Sequence, residues 1–200
     1  TLNLLYERQR EQYQVARQNV QIINKRCHEL KVQIANLRKL SPEEVPQERI
    51  DEAERAARLY DANRNTGNEV LDVVLTEKSL LCEAQRIRLN CVADGTCLAA
   101  IEPGDLYALF SNLLDQAIDA AAQQQNDRRM IDLLVCRRQG FAVINVIGPA
   151  LSGSQSDHGR RHSYELKVAR CVVQKYSGTM ATEPRGELFA VKIVLPLTRG

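Results

Sequence analysis

The sequence predicts an α+β protein in which a helical hairpin precedes an α/β sandwich. Apolar residues recur at steps of three and four between residues 13 and 37, which indicates a long helix with a narrow apolar seam. Beyond residue 65, helical patterns alternate with short apolar segments bounded by glycine and polar turns, as in a mixed sheet with helices on one face. We therefore predict two domains, a hairpin at residues 1–65 and a sandwich at residues 66–200.

The hairpin begins with a helix whose seam is regular enough for packing against other helices. Leu40-Ser41-Pro42 ends this helix, and a second helix is predicted from about Glu43 to Asn65. Two helices joined by a short turn bury little apolar surface, so we expect a homodimer in which two hairpins form a four-helix bundle. The seam residues are Tyr13, Ala16, Val20, Ile23, Cys27, Leu30, Ile34 and Leu37.

The sandwich is predicted from helical and strand periodicities and from the turn residues between them. Asp105 is predicted to cap the central helix, and Gln139-Gly140 to turn a strand hairpin. The predicted elements are a helix at 69–86, a strand at 87–92, a short strand at 97–101, the central helix at 105–122, strands at 130–137 and 141–147, a polar loop at 151–162, a helix at 164–176, and strands at 179–183 and 188–195.

Composition excludes several classes of protein. The net charge is +2, so electrostatics alone predict neither a nucleic-acid nor a membrane partner. The apolar runs are shorter than the roughly 20 residues that a membrane helix needs. We expect a cytoplasmic protein, although the helical pattern at Thr1 suggests a longer parent chain that could carry membrane helices upstream.

The six cysteines form no C-x-x-C pair and mostly occupy apolar positions of predicted helices and strands. We interpret them as small core residues in a reducing cytosol rather than as disulfides or zinc ligands. Asp157, His158 and His162 are a weaker metal candidate, because they lie in a polar loop without partner cysteines. No metal site is predicted.

The central helix carries the most informative pattern. Leu106, Leu109 and Leu113 start an apolar stripe that continues through Ala117 and Ala121. The polar residues Asn112, Asp115, Gln116 and Asp119 fall mostly on the other side, which for an isolated helix indicates an ordinary solvated face. Their order within DLYALFSNLLDQAIDAAA, however, resembles the asparagine box of the ATP-binding domain shared by sensor histidine kinases and gyrase-type ATPases.

The flanking segments are similar to the same family. Residues 66–78 resemble the entry segment of peptide-quorum and citrate-type sensor kinases, and residues 162–180 and 186–197 resemble their last helix and final strands. The resemblance implies a Bergerat-type ATPase sandwich after a dimerising hairpin. The layout is also similar to histidine phosphotransferases of sporulation signalling, which relay phosphate without ATP.

His28 lies in a segment, His28-Glu29-Leu30-Lys31, that resembles the phospho-acceptor box of these kinases. Taken alone, a helical histidine is usually a surface residue. Neutral imidazole is nevertheless a nucleophile near neutral pH, and Glu29 could accept its other ring proton. Val32 stands where the family commonly has a polar residue that orients water, so dephosphorylation of a partner by that route is expected to be weak.

The resemblance also implies how Mg-ATP would be held, and the chain departs from it at three places. Asn112 and Asp115 match the box, but Gln116 replaces the asparagine that binds magnesium. Our alignment puts Ile147 where the polar residue that reads adenine belongs. The glycines that open the last helix are replaced in His162-Ser163-Tyr164-Glu165-Leu166. We expect no tight ATP binding and no cofactor. Mg-ATP would bind only if unusual residues replaced the family's ligands to magnesium, adenine and phosphate.

Three functions follow from this interpretation. The leading one is a degenerate member of the sensor kinase family that acts in phosphorelay through His28 with a response-regulator receiver domain. The second is a working ATP-dependent histidine autokinase. The third is a non-enzymatic module that sequesters a response regulator or a kinase.

Overall fold

A computed structural model describes residues 2–37, 51, 65–150 and 157–197. Apart from Asp51 and Asn65, the second helix of the predicted hairpin lies outside the described residues, and so does the segment 151–156. The described elements are α1 (Leu2–Leu37), α2 (Glu69–Ala84), β1 (Arg88–Ala93), a 3-10 turn (Gly95–Leu98), α3 (Pro103–Ala122), a 3-10 turn (Asn126–Arg128), β2 (Met130–Arg138), β3 (Phe141–Pro149), α4 (Asp157–Lys175), β4 (Thr179–Arg185) and β5 (Leu188–Pro196).

The five strands form one mixed sheet in the order β1-β2-β3-β5-β4. Strands β1 and β2 are parallel, and the other neighbours are antiparallel. Along β2 and β3, alternate side chains are buried, as expected for a sheet that helices cover on one face. The predicted α+β class is confirmed.

The β2-β3 hairpin turns at Gln139 and Gly140, as predicted. Both residues have positive φ, 47° and 84°, which is the backbone of a two-residue turn whose twist matches the flanking strands.

Before α2, the side chain of Asn68 accepts hydrogen bonds from the backbone N–H groups of Val70 and Leu71. This cap starts α2 after the break at Thr66-Gly67.

Two predicted elements are wrong. Residues 95–98 form a 3-10 turn rather than the start of a strand at 97–101, because Asp94 accepts a hydrogen bond from the backbone N–H of Thr96 at 3.1 Å and closes the chain on itself. The central helix begins earlier than predicted: Glu102 is its N-cap residue and Pro103 occupies the first turn. Asp105 is therefore a buried residue of the first turn and not the cap.

The polar loop predicted at 151–162 is also partly wrong, since α4 already begins at Asp157. The side chains of residues 157–165 lie outside the described part of the structure, and with them the candidate metal residues Asp157, His158 and His162. Where side chains are described, no group of three or more histidine, cysteine or acidic residues could hold a metal ion.

The N-terminal half of α1 packs on the sandwich. Tyr13, Ala16 and Val20 from the predicted seam belong to the same buried cluster as α2 and α3. The rings of Tyr13 and Tyr107 lie 5.5 Å apart, and Arg17 forms an ion pair with Glu69 at 2.8 Å. This part of the seam is thus covered by the chain's own second domain, and the dimeric four-helix bundle stays a prediction.

Five of the six cysteines have described side chains. None of these five forms a disulfide within the described residues; Cys82 and Cys97 are buried, and Cys91, Cys136 and Cys171 are partly buried. No helix within the described ranges is long and apolar enough to cross a membrane.

Replacing Tyr13 by alanine should test the packing of α1 on the sandwich. Because the ring is only 6% exposed, we expect the free energy of unfolding to fall by about 2–4 kcal/mol. Val15→Ala on the exposed side of the same helix should change it by less than about 0.5 kcal/mol. Urea unfolding of both variants measures the difference, and equal effects would contradict the packing.

Candidate functional site

Helix α3 lies at the centre of the sandwich, and its polar residues are more buried than the sequence predicts. Asn112 and Gln116 are each only 8% exposed, whereas Asp115 and Asp119 are partly exposed. The solvated face expected of an isolated helix is not found at Asn112 and Gln116, because α3 packs on α1, α2, α4 and the sheet. When a helix is covered on several sides, some of its polar residues are buried, whereas a helix packed on one face only would leave them in water.

A pocket of about 320 Å³ lies between α3, β3, β5 and the middle of α4. Gln116, Ala117 and Ala120 form its α3 wall, and β3 supplies Val146, Gly148 and Pro149. Ala150, Leu166, Phe189 and Val191 complete the described lining. The pocket is therefore lined mainly by aliphatic and aromatic groups.

The strand register places Val146 in this pocket, and not Ile147. Val146 is 3% exposed and shares the helix-covered face with Ala142 and Ile144. Ile147 and Asn145 point to the opposite face, as side chains one residue apart must. The assignment of Ile147 to the position that reads adenine stays a prediction, and on β3 it is Val146 that lines the pocket.

Gln116 carries the only polar side chain among the described residues that line the pocket. No hydrogen bond of its amide is described, and the amide is not among the fully enclosed side-chain groups that lack a partner in the described part of the chain. The amide therefore keeps contact with water at the pocket, and a ligand with matching polar groups could take the place of that water. This side chain is the one group of the pocket that could recognise a polar feature of a ligand.

Asn112 lies one turn before Gln116 but is engaged within the helix. Its amide nitrogen donates a hydrogen bond to the Ala108 carbonyl at 2.6 Å. The donor end of the side chain is thus occupied by the backbone of α3 itself.

Asp115 faces away from the pocket and pairs with Lys78 of α2. The Lys78 ammonium lies 2.8 Å from an Asp115 carboxylate oxygen and 3.7 Å from Glu77, and its side chain is only 6% exposed. Sequence analysis missed Lys78, although it follows Val70 and Val74 at steps of four on the apolar stripe of α2. The charge of Asp115 thus balances a buried cation.

Tyr107 completes this polar cluster beneath α1. Its hydroxyl donates a hydrogen bond to Glu77 at 3.0 Å. Burial, reinforced by the neighbouring Glu77 carboxylate, raises the pKa of Tyr107 well above its ordinary value. The phenol therefore stays protonated and serves as a donor that ties α3 to α2.

Comparison with protein families identifies the domain to which α3 and the pocket belong. Residues 101–196, which include α3, β2, β3, α4 and both final strands, match the sequence model of the GHKL domain family. This part of the chain is a GHKL domain. No curated protein matches the chain.

Solved structures share the fold of the GHKL domain. A nucleotide-free form of the catalytic domain of the histidine kinase ThkA has 16% identity and a TM-score of 0.50, covering 66% of this chain and 94% of that one. A second such form gives 15% identity and a TM-score of 0.51, with 67% and 96% covered. The histidine kinase AdeS of Acinetobacter baumannii has 11% identity and a TM-score of 0.47, with 85% and 94% covered.

A second polar cluster joins the N-terminal end of α3 to the C-terminal end of α4. The buried Asp105 accepts hydrogen bonds from the Lys175 ammonium and the Tyr176 hydroxyl, both at 2.6 Å. The bond to Asp105 raises the pKa of Lys175, and burial followed by the same carboxylate raises that of Tyr176. Arg10 of α1 pairs with Glu102 beside this cluster, so α1 is also attached here.

His28 lies on the part of α1 that extends beyond the GHKL domain. Its side chain is exposed, and it follows Val20, which still joins the buried cluster, by eight residues or about 12 Å along the helix axis. Glu29 pairs with Arg26 at 3.0 Å, and no described hydrogen bond joins it to His28. Adjacent residues of a helix do not face each other, which accounts for this arrangement.

The lid residues that the family resemblance singled out, His162 to Glu165, lie in the first half of α4, where side chains are outside the described part of the structure. Leu166 is the described residue of α4 that lines the pocket. The glycine replacements in this segment therefore stay a sequence prediction.

Replacing Asp115 by alanine should leave Lys78 buried with Glu77 as its remaining neighbour. We expect the free energy of unfolding to fall by about 1–3 kcal/mol, less than for a fully buried pair, because Asp115 is partly exposed. Adding Lys78→Met to this variant should restore most of the loss. Urea unfolding provides the measurement, with Asp119→Ala as a control that should stay within about 0.5 kcal/mol of the parent.

Proposed function

We propose that the chain is a two-component signalling protein of histidine-kinase type in which the GHKL domain no longer holds Mg-ATP. His28 accepts phosphate from the aspartyl phosphate of a response-regulator receiver domain and passes it on. The observation that carries this proposal is the apolar pocket beside Gln116, in the place where the family resemblance implies a nucleotide.

The described lining of the pocket fits Mg-ATP poorly. Magnesium takes oxygen ligands at about 2.0–2.1 Å in strict octahedral geometry, and the lining offers one amide oxygen, moved by one methylene relative to asparagine. Val146, which lines the pocket from β3, offers no hydrogen bond to an adenine amino group, and an unpaired amino group costs about 1–3 kcal/mol. The described lining also lacks a cation to balance a triphosphate.

The exposure of His28 supports acceptance of phosphate from a separate protein. An unprotonated imidazole nitrogen attacks the phosphorus of the aspartyl phosphate, a P–N bond forms, and the P–O bond to the aspartate breaks as its carboxylate leaves. The proton on the other ring nitrogen passes to water, because Glu29 is held by Arg26. No nucleotide takes part in this transfer.

A second candidate is the interaction module that binds a receiver domain without exchanging phosphate. The pairing of Glu29 with Arg26 favours it, because the carboxylate that could assist the imidazole is engaged elsewhere. A working autokinase is the third candidate, and it requires the GHKL pocket to bind Mg-ATP.

Incubation with a ³²P-labelled receiver domain should transfer acid-labile phosphate to the chain. We expect the label on His28, lost in His28→Ala and retained in the double variant His158→Ala/His162→Ala, which replaces the only other histidines of the chain. Incubation with γ-³²P-ATP and magnesium should leave the chain unlabelled. Gel autoradiography measures both reactions.

The other outcomes identify the alternatives. Label from ATP that His28→Ala abolishes would establish the working kinase and contradict the proposal. A stable complex with the receiver, without label on His28, would favour the interaction module over the relay.

A further inference from the structure

We infer that the GHKL pocket binds an uncharged, largely apolar small molecule that presents one amide-like edge to Gln116. This inference rests on the proposed loss of Mg-ATP from the same pocket. The chemical class includes lactams, cyclic imides and pyridones, which carry an N–H and a C=O side by side.

The size and shape of the pocket fit such a ligand. Its volume of about 320 Å³ lies at the lower end of the range for small-molecule sites, roughly 300–1,000 Å³. The wall formed by Ala117, Ala120 and Gly148 has short side chains, which leave the space open beside the helix. Phe189 and Val191 close it from the sheet.

The lining favours a neutral ligand. None of the described residues that line the pocket is ionisable, and a charged group moved there from water would lose its hydration without a compensating partner. Asp115, the neighbour of Gln116 in sequence, does not line the pocket and is paired with Lys78.

Gln116 supplies specificity. Its side chain offers one acceptor and two donor hydrogens and is 8% exposed, and no hydrogen bond of its amide is described. A ligand with adjacent donor and acceptor groups satisfies both ends of the amide, and a ligand without them leaves the amide unpaired. The pocket therefore distinguishes an amide edge from a hydrocarbon of the same shape.

The probe for this inference is 2-quinolone, a neutral bicyclic lactam. Titration into the full chain, followed by ¹H–¹⁵N correlation spectra, should produce saturable shifts at the amides of Ala117, Ala120 and Gly148, with a dissociation constant of about 1 mM or lower. N-methyl-2-quinolone, whose donor is blocked, should bind about tenfold more weakly.

Variants test the two parts of the site separately. Gln116→Leu should weaken 2-quinolone binding about tenfold, and Ala120→Phe should abolish it by filling the pocket. Asp119→Asn, next to Ala120 in sequence but outside the described lining, should leave binding unchanged. The comparison of the two quinolones on the unaltered chain needs no variant to fold.

The outcomes separate this inference from the proposed function. Absence of saturable shifts with 2-quinolone, or equal affinity for its N-methyl derivative, overturns the inference. Saturable shifts with Mg-ATP at the same amides overturn both. If neither Mg-ATP nor 2-quinolone binds, the inference fails and the proposed function stands.

Discussion

The burial of α3 is the constraint on which the rest of this structure depends. The helix packs on α1, α2, α4 and the sheet, and residues such as Leu109, Phe110 and Leu114 are fully buried. Loss of α3 packing would therefore open the core on every side. These apolar contacts determine most of the residues of α3, so only a few of its positions can contact a ligand.

The polar residues at these positions make different contacts. Asp115 balances the buried Lys78, Asp105 holds Lys175 and Tyr176, and the donor group of Asn112 bonds to the backbone. Only Gln116 reaches the pocket. Polar contacts that stabilise helix packing thus help to maintain the fold of this GHKL domain.

The docking of α1 connects this domain to His28. Tyr13 and Val20 join the buried cluster, and Arg10 and Arg17 add ion pairs at two points along the helix. Because α1 is one continuous helix from Leu2 to Leu37, the position of the GHKL domain on its first half determines which surface around His28 faces solvent. A partner that binds beside His28 would therefore be sensitive to how the domain is attached.

The sequence predicted the α+β class, the β2-β3 hairpin and the central helix, because periodicity and turn residues are local properties. It failed where burial depends on distant elements. Asn112 and Gln116 would be solvated on an isolated helix, and they are buried because the neighbouring helices and the sheet cover α3 without leaving a local signal in its sequence. The alternation along β3 could have shown that Val146, and not Ile147, lies on the helix-covered face, because side chains one residue apart point to opposite faces. The short strand at 97–101 was predicted from apolar content, whereas the capping bond of Asp94 decides the local structure.

The most direct test of the account is isothermal titration of the chain with magnesium and a nonhydrolysable ATP analogue. The account predicts no measurable binding by the unaltered chain, and binding gained in the double variant Gln116→Asn/Val146→Asn, which restores the two polar groups that face the pocket. Binding by the unaltered chain with a dissociation constant of about 1 μM, or −8.2 kcal/mol, would contradict it.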